Sequence, residues 1–210
     1  MNNEQLVCHL KSRKRLRTPA IISAFEKVDR ADFVLQKYRE QAHIDYPLPI
    51  SQGQTISQPT TVALMLEFLQ PQKGDKILDI GSGSGWTTAL LAKIAGLEGE
   101  VWGVERIPEL VELGQNNLKE YNFPNAKILQ AGEGIGLPEK APFEKILVSA
   151  SAKKFPNELI DQLKIGGRIV IPVGISIWGV DKISETEIKK EEHYYKFIFV
   201  PLIIGKKIAS

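Results

Sequence analysis

The sequence predicts an α/β fold with a Rossmann-like, doubly wound and mostly parallel sheet. Strand-like segments alternate with amphipathic stretches of helical period, which is typical of parallel strands joined by helices that cover both faces of the sheet. A glycine-rich turn directly follows the first of these strands. The predicted strands are 76–80, 100–104, 126–130, 144–149 and 168–173, and the predicted helices lie near 85–95, 108–121 and 155–164.

Segments on either side of this core have a different character. Apolar spacing over 19–37 predicts a helix and a following short element, and hence an N-terminal helical extension. Prolines and a glycine interrupt 45–59, which indicates an irregular loop, and helical period returns between Pro59 and Pro71. The stretch 192–204 is rich in Tyr, Phe, Ile and Val and predicts one or two closing strands, antiparallel to the rest.

Length and composition predict a single domain over 1–210, divided into an extension with an active-site loop (1–58), a core (59–174) and C-terminal strands (175–210). The net charge of +2 gives no strong argument for a nucleic-acid or membrane partner. The single cysteine, Cys8, cannot form an internal disulfide, and no apolar run has the form of a signal peptide or membrane span. We expect a cytoplasmic protein and favour a monomer.

A basic cluster stands near the N-terminus. It consists of Lys11, Arg13, Lys14, Arg15 and Arg17. Such a cluster can bind an anionic partner, but a solvated face on a short helix is the more common explanation, and we favour it here.

The turn at 81–85 (G-S-G-S-G) lies between an apolar strand and a helix. Glycines let the backbone approach a ligand closely, and a helix N-terminus offers free amide donors. Trp86 stands where a dinucleotide-binding turn has Gly or Ala, and the carboxylate of Asp79 precedes the turn, so a pyrophosphate is disfavoured. These features favour S-adenosylmethionine over a nicotinamide dinucleotide.

Carboxylates also follow the next two strands. Glu105 stands where this fold places an acceptor for ribose hydroxyls, although an exposed strand end is the alternative. Glu133 follows the third strand and is placed to meet an adenine amino group, with a plain turn as the alternative. The predicted cofactor-binding residues are Asp79, Gly81, Ser82, Gly83, Glu105, Arg106, Ile107, Gly132 and Glu133.

Over nearly its whole length the chain resembles the protein-L-isoaspartate O-methyltransferases. The most specific matching motifs are T-I-S-Q-P at 55–59 and F-V-P-L at 199–202, whereas the glycine turn is common to S-adenosylmethionine enzymes. The resemblance implies a class I methyltransferase fold and methyl transfer to the free carboxylate of L-isoaspartyl residues in damaged proteins or peptides. The ester then collapses to a succinimide, whose hydrolysis restores some normal aspartate.

The resemblance also implies roles for individual residues. The Ser of T-I-S-x-P lies at the family's active site, which implies that Ser57 is catalytic, with Thr55 beside it. From the residues alone, capping of the helix that begins near Pro59 is the favoured role of both hydroxyls. The residues implied to contact substrate are Ile56, Val200, Pro201 and Leu202.

Some positions depart from the family's usual pattern. Glu133 replaces an Asp, and the family often has a run of alanines at 149–151, where this chain has S-A-S. Asp79, Ser82 and Trp86 are chemically tolerable replacements within the cofactor motif. Substrate selectivity is therefore less firmly predicted than the cofactor.

The expected chemistry needs little from the side chains. A carboxylate with a pKa near ~4 is ionised at neutral pH, so it needs no general base. The three histidines, His9, His43 and His193, show no metal-ligand spacing, and we predict no metal. Two alternatives stay open: a methyltransferase for RNA or a small molecule on the same scaffold, and a non-catalytic module that binds S-adenosylmethionine and peptide.

Overall fold

A computed structural model describes residues 1–194 and 197–205 and contains a seven-stranded sheet flanked by helices. The α-helices are α1 (Asn3–Ser12), α2 (Pro19–Lys27), α3 (Pro59–Leu69), α4 (Trp86–Ala95), α5 (Pro108–Tyr121) and α6 (Glu158–Asp161), and short 3₁₀ helices span Arg30–Phe33, Gln36–Gln41 and Pro138–Lys140. The strands are β1 (Leu48–Pro49), β2 (Thr55–Ile56), β3 (Lys76–Ile80), β4 (Glu100–Glu105), β5 (Ala126–Gln130), β6 (Phe143–Val148), β7 (Leu163–Val173), β8 (Ser176–Lys182) and β9 (Ile188–Tyr194).

The large sheet has the order β5-β4-β3-β6-β7-β8-β9. Strands β3 to β7 are parallel, and β8 and β9 are antiparallel additions. Ile80 pairs with Val104 of β4 on one side and with Val148 of β6 on the other, so these three strands end level with one another. The chain reverses its winding direction at β3, and ligands bind at such a switch point in doubly wound sheets.

Apolar side chains of the sheet form a core on each of its faces. On one face they pack against α1 to α5, as shown by the buried Leu10, Phe25, Leu66 and Leu110. The other face is covered by α6, the 3₁₀ helix at 138–140 and the segments beside them. Helices therefore lie on both faces as predicted, but most of them lie on one.

Within the N-terminal extension, the backbone just before α2 is held by a residue distant in sequence. The buried carboxylate of Glu67, on α3, accepts hydrogen bonds from the backbone N–H groups of Arg17 and Thr18 at 2.7 and 2.8 Å. The five side chains of the basic cluster are exposed, and Arg17 alone among them has an ion pair within the described residues, at 3.9 Å from Glu67. This agrees with a solvated basic face.

Two predicted segments were wrong in their bounds. The helix at 155–164 is only the four-residue α6, and β7 begins at Leu163, earlier than the predicted 168. Gly167 permits this extension, because a Cβ there would lie 2.8 Å from the carbonyl oxygen of Glu144 on β6.

The closing antiparallel strands exist, but they lie earlier than the predicted 192–204. They are β8 and β9, which fall mostly in the charged stretch 175–192. Across β7 and β8 the Arg168 guanidinium forms two hydrogen bonds with Asp181, at 2.6 and 2.8 Å, so charge in this region stabilises the strand pairing. Residues 197–205 form no strand, Pro201 makes an isolated bridge to Ser151, and 195–196 lie outside the described residues.

No helix in the described part of the chain is both long enough and apolar enough to span a membrane.

Candidate active site

A cavity of about 980 Å³, measured to its open mouth, lies at the carboxyl ends of β3, β4 and β6. The wall is formed by the loop at 45–59, by the ends of β3, β4 and β6, and by the C-terminal segment at 200–205. The predicted site residues on the wall are Thr55, Ile56, Ser57, Gly81, Ser82, Gly83, Glu105, Arg106, Val200, Pro201 and Leu202.

The glycine turn packs directly against α5. Gly85 has φ +90°, and a Cβ there would lie 3.1 Å from the carbonyl oxygen of Gly114. Asn117, one turn further along α5, donates a hydrogen bond to the carbonyl of Ser84 at 2.9 Å. The turn is therefore fixed from behind, which leaves its other side, including Gly81 and Gly83, on the cavity wall.

Glu105 organises the same turn from the end of β4. Its Oε2 accepts the N–H of Gly83 at 3.2 Å, and its Oε1 accepts the N–H of Ile107 at 2.9 Å. The side chain is buried yet lies on the cavity wall. Each carboxylate oxygen can accept a further hydrogen bond, so Glu105 can hold two hydroxyl groups while its own orientation stays fixed.

Asp79 lies behind the glycine turn and does not line the cavity. Its side chain is fully buried, and Oδ2 accepts hydrogen bonds from the hydroxyls of Thr87 and Thr88, both at 2.7 Å. Oδ1 has no partner. Burial raises the pKa of Asp79 from 3.8 to about 6, with Glu105 adding to the rise and the two threonines opposing it.

The raised pKa means that the protonated carboxyl of Asp79 stabilises the fold. That contribution is complete below about pH 3.8 and is lost as the pH rises through 6, and it amounts to about 3 kcal/mol. At neutral pH the protein therefore keeps a destabilised negative charge beside the cavity. Such a charge favours a cationic ligand.

The hydroxyls of Ser57 and Thr55 do not cap a helix. The N-cap of α3 is Gln58, and no side-chain bond is made there. Asp45 supplies the cap instead, because its carboxylate accepts the N–H and the hydroxyl of Thr60 at 2.8 and 2.7 Å. Within the described residues neither the Ser57 nor the Thr55 hydroxyl has a hydrogen-bond partner, and both residues line the cavity.

The C-terminal segment crosses the cavity rather than adding to the sheet. Ser151 donates its N–H to the carbonyl of Val200 at 2.8 Å and accepts the N–H of Leu202 at 2.8 Å. The Ser151 hydroxyl also donates to the carbonyl of Gly174 at 3.1 Å. These bonds place Val200 to Leu202 on the wall that the T-I-S-Q-P motif also lines.

Several other predicted cofactor residues are not on the wall. Ile107 is buried and contributes its backbone N–H to Glu105. Gly132 and Glu133 are exposed, and Gly134 to Gly136 line the cavity in their place. The proposed contact between Glu133 and adenine stays a prediction, as does a direct contact from Asp79.

The structure also brings residues to the site that were not predicted. Ser149 follows β6 and lines the cavity beside Gly81. Gly114 supports the turn from α5, and Arg30 binds the backbone of the T-I-S-Q-P motif from the N-terminal extension. Only Ser149 carried a sequence signal, because it stands where the resembled family often has alanine.

The cavity chemistry suits an adenosyl cofactor. Its charged wall residues, among those described, are Glu105 and Arg106, and most of the remaining surface is apolar or carries hydroxyls. An apolar wall accommodates a purine, and a fixed carboxylate accommodates ribose hydroxyls. The buried Ser82 hydroxyl, which also lines the cavity, has no hydrogen-bond partner among the described residues and can bond to a ligand.

Comparisons with known proteins agree with this architecture. The family model for protein-L-isoaspartate(D-aspartate) O-methyltransferase matches residues 1–207. Protein-L-isoaspartate O-methyltransferases of Methanopyrus kandleri and Thermococcus onnurineus are 43% and 42% identical, over 95% and 92% of this chain and 90% of each relative. A Plasmodium falciparum protein assigned to the same activity, solved with S-adenosyl-L-homocysteine, superposes with a TM-score of 0.85 at 28% identity, covering 97% of this chain and 99% of that one.

The fold and the cavity are those of a class I S-adenosylmethionine-dependent methyltransferase. The match over almost all of the sequence then identifies the family: the chain belongs to the protein-L-isoaspartate(D-aspartate) O-methyltransferases.

Proposed function

We propose that this protein transfers a methyl group from S-adenosylmethionine to the free carboxylate of L-isoaspartyl residues in damaged proteins or peptides. The proposal depends on one observation: the glycine turn, Glu105 and the unpaired hydroxyls of Ser57 and Thr55 all line the same cavity. One part of this wall suits the cofactor, and the other suits an anionic acceptor. The resemblance and the relatives' names supply the substrate class.

The cofactor part consists of residues already held in place. Glu105 is fixed by two backbone N–H groups and has acceptor capacity left for ribose hydroxyls. The glycine turn and the first turn of α4 offer backbone donors to a carboxylate. When bound, S-adenosylmethionine supplies an electrophilic methyl group on its sulfonium.

The acceptor part orients a nucleophile without deprotonating it. The isoaspartyl carboxylate, with a pKa near ~4, is already ionised at neutral pH. The described residues of the wall include no histidine, and the hydroxyls of Ser57 and Thr55 can donate to one carboxylate oxygen and leave the other free for the methyl group. Apolar neighbours such as Ile56, Val200 and Leu202 exclude water from that oxygen.

The methylated product then reacts without further help from the protein. The adjacent backbone nitrogen attacks the ester carbonyl and methanol leaves, which closes a succinimide ring. Water opens the ring and restores aspartate in part of the product. Repair therefore requires only that the protein make the ester.

The acceptor class can be tested with labelled S-adenosylmethionine. We expect label on an isoaspartyl peptide, released as methanol by mild base, and no label on a tRNA pool assayed in parallel. A base-stable product on RNA with an unlabelled peptide would reject the proposal in favour of the RNA alternative. Absence of any labelled acceptor beside normal cofactor binding would favour a non-catalytic module.

The charge of Asp79 predicts how cofactor affinity depends on pH. Because the pKa of Asp79 is about 6 and a cationic ligand favours its ionised form, S-adenosylmethionine affinity should rise several-fold between pH 5 and 7, with proton release on binding. Calorimetry in two buffers of different ionisation enthalpy measures both effects. S-adenosylhomocysteine, which lacks the sulfonium charge, should show a shallower slope, and Asp79→Asn should remove it. An unchanged slope in Asp79→Asn would contradict this assignment.

We further infer that residues 1–58, 59–174 and 175–210 act as parts of one methyltransferase domain, that the protein works in the cytoplasm and that it is a monomer. An unpaired Cys8 on the surface is compatible with a reducing compartment. Light scattering at micromolar concentration tests the oligomeric state.

A further inference from the structure

Arg30 is a fully buried cation that binds backbone carbonyls of two separate loops. Its Nη1 donates to the carbonyl of Ala42 at 2.6 Å, and its Nη2 lies 3.0 Å from the carbonyl of Tyr46. The same Nη2 donates to the carbonyls of Ser57 and Ile56, at 3.1 and 3.4 Å. One guanidinium therefore joins the N-terminal extension to the T-I-S-Q-P motif.

The guanidinium also contacts the cofactor side of the cavity. Its central carbon lies 5.5 Å from the centre of the Trp86 ring, a favourable cation–π distance. Trp86 begins α4 directly after the glycine turn and lines the cavity. Arg30 thus lies between the backbone that carries Ser57 and the helix that follows the cofactor turn.

This arrangement is unusual for a residue that only fills a core. Burial lowers the pKa of Arg30 to about 10, and the charge of Asp45 partly offsets that effect. Asp45 itself is bound to Thr60, and no carboxylate in the described part of the chain lies within ion-pair distance of Arg30. An apolar side chain fills such a volume at lower cost, so the retained charge indicates a need for directed donors.

We propose that Arg30 is a positioning residue for methyl transfer: it fixes the Ser57 hydroxyl relative to the cofactor by holding the carbonyls of Ile56 and Ser57 while its guanidinium lies over the Trp86 ring. The inference rests on the proposed function, because it assigns Ser57 to the acceptor carboxylate. The planar guanidinium has several N–H donors and can bind carbonyls from both loops at once, whereas the single ammonium group of lysine cannot match that geometry.

The test is a double-mutant cycle between Arg30→Lys and Ser57→Ala. We expect Arg30→Lys to lower kcat for the isoaspartyl peptide at least tenfold while the Kd of S-adenosylmethionine changes less than about threefold. Since Arg30 acts through Ser57, adding Arg30→Lys to Ser57→Ala should lower kcat by less than a further threefold or so. Unchanged kcat in Arg30→Lys, or fully additive losses, would overturn the inference.

Arg168→Lys is the matched control. The Arg168 guanidinium also donates several hydrogen bonds, to the carboxylate of Asp181 and to the carbonyl of Phe68. Its central carbon lies 5.5 Å from the centre of the Phe68 ring, but Arg168 does not line the cavity. A comparable fall in Tm with wild-type kcat in this variant separates lost stability from lost positioning.

A second variant covers the case in which Arg30→Lys does not fold. Arg30→Ala assayed with millimolar guanidinium chloride should regain activity at least several-fold, whereas ammonium chloride should have no effect. Lack of rescue in a folded Arg30→Ala protein would overturn the inference. A wild-type protein that is inactive on the peptide would instead reject the proposed function, and that result is known before any variant is made.

Discussion

Replacement of Glu105 by alanine is expected to weaken S-adenosylmethionine binding by about 100-fold or more. Two hydrogen bonds from ribose hydroxyls to a carboxylate contribute about 1.5–3 kcal/mol each, and both are lost together. The glycine turn loses a support as well, because the N–H of Gly83 no longer has its acceptor. Isothermal titration calorimetry with purified protein measures the change directly.

Glu100→Ala is the control for this experiment, because Glu100 begins the same strand and its side chain is exposed at the opposite end from the cavity. Its Kd should equal that of the wild type. Thermal unfolding of both variants shows whether Glu105→Ala remains folded at the titration temperature. A folded Glu105→Ala protein with wild-type affinity would show that the ribose assignment is wrong.

Ser57→Ala should lower kcat/KM for an isoaspartyl peptide by about 10- to 100-fold, while the Kd of S-adenosylmethionine stays within about twofold. The expected fall in kcat/KM corresponds to the loss of one hydrogen bond to a charged acceptor. The missing hydroxyl has no partner in the described protein, so its removal breaks no internal bond and should leave Tm nearly unchanged. Initial rates across a range of peptide concentrations separate kcat from KM.

Ser51→Ala provides the comparison within the same region, because Ser51 precedes β2 and is not on the cavity wall. It should retain wild-type kinetics. Equal activity of Ser57→Ala and Ser51→Ala would remove Ser57 from the reaction and leave Thr55 and Ser149 as the hydroxyls to examine.

The cofactor side of the cavity was predictable because its signal is local. Strand, glycine turn and helix follow one another over 76–95, and Glu105 ends the neighbouring strand, so no distant contact is needed to place them. The orientation of the Asp79 side chain could not be predicted in this way. Its carboxylate faces Thr87 and Thr88 rather than the cavity, and only the packed helix shows this.

Roles that depend on distant partners could not be read from the sequence. Ser57 fits a helix cap until Asp45 is seen to occupy that role. Arg30 binds backbone carbonyls, which every residue type has, so no pattern of side chains marks its acceptors. Both cases involve loops whose geometry is set by tertiary contacts.

The C-terminal segment was misplaced for a related reason. Residues such as Val200 and Leu202 are apolar because they line the cavity, and a buried strand produces the same composition. The true closing strands are β8 and β9, of which β9 is the edge strand and is rich in charge, as expected where a sheet edge faces solvent. Opposite charges also pair across strands in this region, as Arg168 of β7 does with Asp181 of β8. Composition alone does not distinguish these situations.

Selective methylation of the isoaspartyl carboxylate is tested by comparing kcat/KM for two peptides that differ only in whether one aspartate is linked through its β- or its α-carboxyl group. We predict that the isoaspartyl form is methylated at least about 100-fold more efficiently than its normal twin, since the cavity must place the free carboxylate beside Ser57 and the cofactor at once. Equal efficiency for the two peptides, or no methylation of either, would show that the protein is not an isoaspartyl methyltransferase.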